Sequence, residues 1–175
     1  MKTSPVFLQE LKTSLPKSSY EQRKMWAIYI LEKNIDLKEL AELLKCENEI
    51  ATKFLWMLSD IAILSPNRLL NELPYLLNFC STVNQDYKTY FASYWLYVGV
   101  PFENEGEAID LLFQFIVSPK TNVTVKSRSV LVLFNLTKKY PELKNELRYS
   151  LKEQLNKYSK DFDKRITKIL MLIEQ

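Results

Sequence analysis

Apolar residues recur every three or four positions along nearly the whole chain, and no segment alternates with the period of two that a half-buried strand requires. The pattern predicts an all-α chain of about ten helices. The first clear helix follows Ser18, where Ser18 and Glu21 form a capping box, and it turns Met25, Trp26, Ile28 and Tyr29 toward a core. Asp36 and Glu39 repeat that box before LKELAELLK. The long run EIATKFLWMLSDIAIL stops at Ser65-Pro66, a natural cap followed by a proline suited to the first helical position. The next helix reaches about Cys80, and Pro74 kinks or splits it. Asn84 to Asp86 open DYKTYFASYWLYVGV, which Gly99 and Pro101 end. The acidic FENEGE leads into AIDLLFQFIV, broken at Ser118-Pro119. Two helices then flank Tyr140-Pro141, the second with Leu143, Leu147, Leu151 and Leu155 at four-residue spacing. A last helix carries Phe162, Ile166, Ile169, Leu170 and Ile173 on one face.

Short turns marked by proline or a capping residue suggest helix pairs stacked antiparallel, and a weak repeat supports this. Trp56 and Trp95 occupy similar places in apolar helices, and ILSPNRLLNELPYLL resembles KKYPELKNELRYSLKEQL. The offsets imply a period near 38 residues, beside the roughly 40-residue helical-pair repeats. A unit of that kind cannot cover its own apolar face, so neighbours share one core. On this basis the chain is one helical-repeat domain over 1–175: N-terminal helices in 1–47, helix pairs in 48–83, 84–119 and 120–159, and a capping helix in 160–175.

Composition removes whole classes of chemistry. The sequence contains no histidine, so the usual general base near neutral pH, the Ser-His and Cys-His nucleophile pairs and the commonest zinc ligand are missing. Its two glycines, Gly99 and Gly106, lie in different segments and build no phosphate-cradling loop. No catalytic residue, cofactor or metal is therefore expected. Cys46 and Cys80 read as packed free thiols of a cytoplasmic protein. The opening stretch MKTSPVFLQELKTSL interrupts its apolar run with Gln9, Glu10 and Lys12, and no window is long and apolar enough for a membrane span.

The segment VKSRSVLVLFNLTKKYPELKNELRYSLKEQLNKYSKDFDKRITKIL resembles the closing repeats of small bacterial HEAT- or armadillo-like proteins: a basic helix start, an apolar run, a Tyr-Pro-Glu-Leu turn and a terminal Phe-x-x-Arg helix. The resemblance covers about the last 55 residues closely and 48–118 loosely. It implies a right-handed α-α superhelix of stacked antiparallel helix pairs. Some proteins of this appearance carry the label adenylosuccinate lyase. This chain has neither that enzyme's Ser- and Gly-rich loop nor its histidines, so the label is set aside.

Charge supplies the first candidate surface. The total is +3, but residues 46–115 hold three basic and nine acidic side chains whereas 116–175 hold thirteen and six. Within the basic third, Lys144, Arg148 and Lys152 share a helix face, and like charges so placed cost about 0.2–0.5 kcal/mol per pair unless neutralised. Either Asp161 and Asp163 neutralise them or an acidic partner does. Lys126 and Arg128 oppose the dipole of their own helix and are a weaker candidate. The second candidate is aromatic: Tyr87, Tyr90, Tyr94 and Tyr97 fall on one stripe beside Phe91 and Trp95, which is either core or the edge of a peptide-gripping groove. The third is Asp60, inside an apolar run, as a polar tie between helices or a buried acid.

The reading that follows is a non-enzymatic scaffold whose concave helical surface binds a protein or peptide, an acidic one at the basic stripe. The alternative is a nucleic-acid-binding HEAT-like protein related to the DNA alkylation repair glycosylases, which use Trp, Asp and Arg. WMLSD with Arg68 offers those residue types, though in an acidic third of the chain.

Overall fold

The computed structural model describes residues 3–174 and contains eleven α-helices, short 3-10 turns and no strand among them. The chain divides into two compact units between Pro101 and Phe102. The expected 84–119 helix pair is thereby parted, its first helix in one unit and its second in the other.

In the first unit, α1 (Pro5–Ser14) and α2 (Tyr20–Glu32) precede the one-turn α3 (Leu37–Leu40) and a 3-10 turn over Ala41–Lys45. Next come α4 (Asn48–Leu64), α5 (Pro66–Leu70), α6 (Leu73–Val83), a 3-10 segment over Gln85–Tyr90 and α7 (Phe91–Val98). The long α4 is central, packed against α2, α5 and α7, because its apolar residues cover more of its circumference than one stripe. Pro74 does split its stretch: it sits in the first turn of α6, where a missing N–H costs nothing. Arg68 bonds Glu72 Oε1 at 2.8 Å and the Ile35 carbonyl at 3.0 Å, tying α5 to the end of the α2–α3 turn.

Several expected details of α2 are corrected. Its N-cap is Ser19, whose Oγ accepts from Gln22 N–H. The Ser18 hydroxyl is turned inward and donates to the Leu15 carbonyl at 2.6 Å. The buried face is Arg23, Trp26, Ala27 and Ile30, while Met25, Ile28 and Tyr29 point to solvent. Apolar residues lie all round this helix, so spacing alone does not choose the inner face. Arg23 chooses it, since its guanidinium Nη1 reaches the Ser18 and Ser19 carbonyls at 3.2 Å each. The helix ends in a Schellman turn with Asn34 at φ +48°, where Ile35 N–H bonds the Ile30 carbonyl and Asn34 N–H bonds that of Leu31. Asp36 caps α3 as expected, and the Glu39 carboxylate accepts from Thr3 N–H.

In the second unit, α8 (Glu105–Val117), α9 (Val123–Leu136), α10 (Leu143–Gln154) and α11 (Lys160–Ile173) pack together, α8 on α9 most extensively. The pair is antiparallel and closed at both ends. At one end Lys126, which has no exposed surface, donates from Nζ to the carbonyls of Phe115 (3.2 Å), Ile116 and Ser118 (2.6 Å). The first two are carbonyls of the last turn of α8, which have no partner inside the helix, and the third belongs to its C-cap, Ser118, which also accepts from Thr121 N–H. At the other end Glu105 accepts from Lys139 at 2.7 and 2.8 Å and from the Tyr140 hydroxyl. On α11 the five expected apolar residues are all buried. On α10 only Leu147 and Leu151 are fully buried; Leu143 and Leu155 lie half out, because a four-residue step overshoots the 3.6-residue turn and the stripe drifts off the core.

Two consequences are measurable in denaturant. Lys126→Met strands the Phe115 and Ile116 carbonyls, Ser118 keeping its bond from Thr121 N–H, and lowers stability by about 3 kcal/mol, with a smaller midpoint shift for a surface control such as Lys164→Met. Glu105→Gln tests the other end. Burial would raise the Glu105 pKa, but the hydrogen bonds from Lys139 and Tyr140 outweigh it and hold the carboxyl below the ordinary glutamate range. A depressed folded-state pKa gives stability that is present above the ordinary value and lost as pH falls through the depressed one. The stability gap between wild type and Glu105→Gln is therefore widest at neutral pH and closes in acid.

Candidate functional site

The basic stripe lies on α10, outside the core: Lys144 and Arg148 are half-buried and Lys152 is exposed. The two expected counter-ions do not serve it. Asp163 accepts the Asn156 N–H at 3.0 Å, and Asp161 pairs with Lys164 at 3.9 Å. Asn156 stands at φ +63°, in the turn between the two helices, and is held there by that bond. Lys152 pairs instead with Glu174 at 3.8 Å, both groups half-exposed, a separation that contributes little. Arg148 lies over the ring of its neighbour Tyr149, 5.3 Å from its centroid. The face carries three cations and, among the described residues, one long ion pair. Lys126 is not part of it, being committed to α8.

The tyrosine stripe does not survive folding as one edge. The segment before Phe91 is a 3-10 turn, tighter than an α-helix, so the four phenols do not stay in register. Tyr87 and Tyr94 are buried, Tyr90 is half-buried, and only Tyr97 is exposed. Tyr94 packs its ring edge-on to Phe91 and donates its hydroxyl to the Leu55 carbonyl of α4 at 2.7 Å. Burial holds that phenol well above the usual tyrosine range. This stripe ties α7 to α4.

The Trp56 region is built from different residues than the sequence indicated. Trp56 is 43% exposed, whereas Trp95, its counterpart in the weak repeat, is 2% exposed. Arg23 and Lys53 lie 5.3 and 5.0 Å from the Trp56 ring centroid, and both also reach the Ser18 carbonyl. Arg68 is elsewhere, held by Glu72 and Ile35. One turn along α4, Asp60 is 8% exposed, and its Oδ2 has no hydrogen-bond partner, as is true of Arg23 Nε. Burial pushes the Asp60 carboxyl up, and the charges of Arg23 and Lys24 pull it partly back. Asn135, at the comparable place in the later helix, is exposed. Arg23 and Lys53 carried no sequence signal, since they meet only when α2 packs on α4.

One hollow was also not foreseen. It lies between α1 and α2, where Phe7, Glu10, Trp26 and Tyr29 converge, and Trp26 Nε1–H donates to Glu10 Oε1 at 3.2 Å.

No family model, no curated protein and no solved structure matches the chain. Among the described residues no helix is long and apolar enough to cross a membrane.

The two thiols differ sharply in environment. Cys80 is buried, and burial pushes its pKa up to about 12, Lys88 only slightly opposing this. Cys46 is half-exposed, its thiol near the Glu42 carbonyl at 3.9 Å. Ellman's reagent at pH 8 is expected to titrate one thiol in the native protein and two in denaturant, and Cys46→Ser to abolish the native reaction.

Proposed function

We propose that the chain is a non-enzymatic binding scaffold of the HEAT- or armadillo-like kind, its helix pairs stacked in the right-handed sense and its partner an acidic protein or peptide, in a cytoplasmic setting. The observation that carries the reading is the α10 face, where Lys144 and Arg148 stand without an ion pair among the described residues and Lys152 has only a distant one. Like charges at four-residue spacing destabilise their own helix slightly, and an acidic surface would relieve that cost. The antiparallel pair α8–α9 and the adjoining α10 and α11 support the repeat interpretation, because each leaves an apolar face that its neighbour covers.

A second reading, nucleic-acid binding, is favoured by one observation: an exposed tryptophan carrying two cations beside a buried, unpartnered carboxylate. Base stacking on an aromatic ring next to basic groups is the chemistry of single-strand recognition. Against it, the first unit holds eleven basic and eleven acidic residues, so no excess of positive charge draws a phosphate backbone to Trp56.

The two readings separate in a fluorescence anisotropy titration of a labelled Glu-rich peptide and a labelled oligonucleotide. The scaffold reading expects peptide binding at about 50 mM salt that weakens at 200 mM, as screening requires. Lys144→Glu/Arg148→Glu, with an unchanged melting curve, should lose at least about tenfold in affinity, since charge reversal repels the same partner. Equal peptide binding by that variant, or none by the wild type, rejects the reading. Tighter oligonucleotide binding that disappears in Trp56→Ala supports the alternative.

A further inference from the structure

The hollow between α1 and α2 measures about 530 Å³, within the range of small-molecule sites. Phe7 and Trp26 are buried and form its floor, and Val6, Met25 and Tyr29 are exposed and form its rim. The Phe7 and Tyr29 ring centroids lie 5.0 Å apart with the planes 49° to one another, so the two rings meet as an angled wall. Among the described residues Glu10 is the one charged residue that lines the hollow, and neither lysine nor arginine does. Its carboxylate is fixed to the aromatic wall by the Trp26 indole N–H. Of the two cations between the lining residues Gln22 and Met25, Arg23 is drawn away to the Ser18 and Ser19 carbonyls and to Trp56, and Lys24 is exposed and does not line the hollow.

Aromatic rings are electron-rich on their faces and attract a cation, most strongly one that is already poorly hydrated. Three aromatic walls and one carboxylate, with no positive group among the described lining residues, favour a ligand that is cationic and apolar at once. An anion would be repelled by Glu10, and a neutral apolar ligand would cover part of the carboxylate without offsetting its charge. A compact ammonium surrenders strong hydration to enter, whereas an alkylated one presents methyl groups to the rings. We propose that this hollow binds a small organic cation bearing an alkylated ammonium group, held among Phe7, Trp26 and Tyr29 with Glu10 as its counter-ion. The site goes beyond the scaffold reading and shares no residue with the α10 face, so the failure of either leaves the other standing.

Choline is a suitable probe, with 3,3-dimethylbutan-1-ol, its uncharged isostere, as the control. The two are titrated into the full chain, and the indole N–H resonance of Trp26 is followed by NMR. Choline should shift that resonance saturably and bind at least about fivefold more tightly than the isostere, the difference a cation gains on aromatic walls. Glu10→Gln should remove most of that preference while leaving the isostere unchanged. Tyr29→Leu keeps the rim apolar without its ring, and it should weaken choline more than the isostere; being at an exposed position, it also serves if Glu10→Gln folds poorly. No saturable shift with choline overturns the proposal. So does equal binding of choline and isostere, or a choline preference that both variants retain.

Discussion

One lysine amine organises the second unit. Lys126 is a residue type almost never found without solvent, and it is tolerated because its amine meets three carbonyls, two that the last turn of α8 leaves over and that of the C-cap Ser118. The positive charge also sits at the negative end of the α8 dipole, which compensates for its poor placement in the first turn of α9. The ring of Tyr158 also lies 5.0 Å from the amine. Apolar burial alone would let α8 and α9 slide; a hydrogen-bond cluster with fixed directions permits one register.

The first unit uses the same device more loosely. The Ser18 carbonyl gathers Arg23 and Lys53, and the Leu55 carbonyl takes the Tyr94 hydroxyl, so α2 and α7 are each fixed to α4 by polar atoms within apolar surroundings. The arrangement at Arg23 is incomplete. Its Nε and the nearby Asp60 Oδ2 are buried without partners, a cost that the apolar packing around them offsets. Polar groups thus choose the geometry in both units, and hydrophobic area supplies the driving force.

Helix content and most boundaries were legible because proline, serine and asparagine mark them directly: Pro66 and Pro74 start helices, and Asn84, Asn122 and Ser159 cap them with their side chains. What spacing could not resolve was the inner face of α2, where apolar residues on every side make the wheel ambiguous, and the fate of Tyr87 to Tyr97, where a 3-10 turn changes the period midway. The α10 stripe was visible because it is local to one helix. The groups around Trp56 and those between α1 and α2 were not, since each joins residues from two helices whose approach is a tertiary event. Lys126 was misjudged for a related reason: its own helix gives it an unfavourable dipole, and its partners belong to the helix before.

The α8–α9 pair has a mechanical property that its two closures create together. Chain connectivity and the Lys126 cluster hold one end, and the Glu105 carboxylate with Lys139 and Tyr140 holds the other, so the pair behaves as a closed loop rather than an open fork. A pull that separates Glu105 from Tyr140 loads the carboxylate clamp first and alone, then peels the apolar seam one turn at a time. A pull along the helix axes loads the whole seam at once. Resistance in this unit therefore depends on direction, and the weak direction is the one guarded by a single acidic side chain.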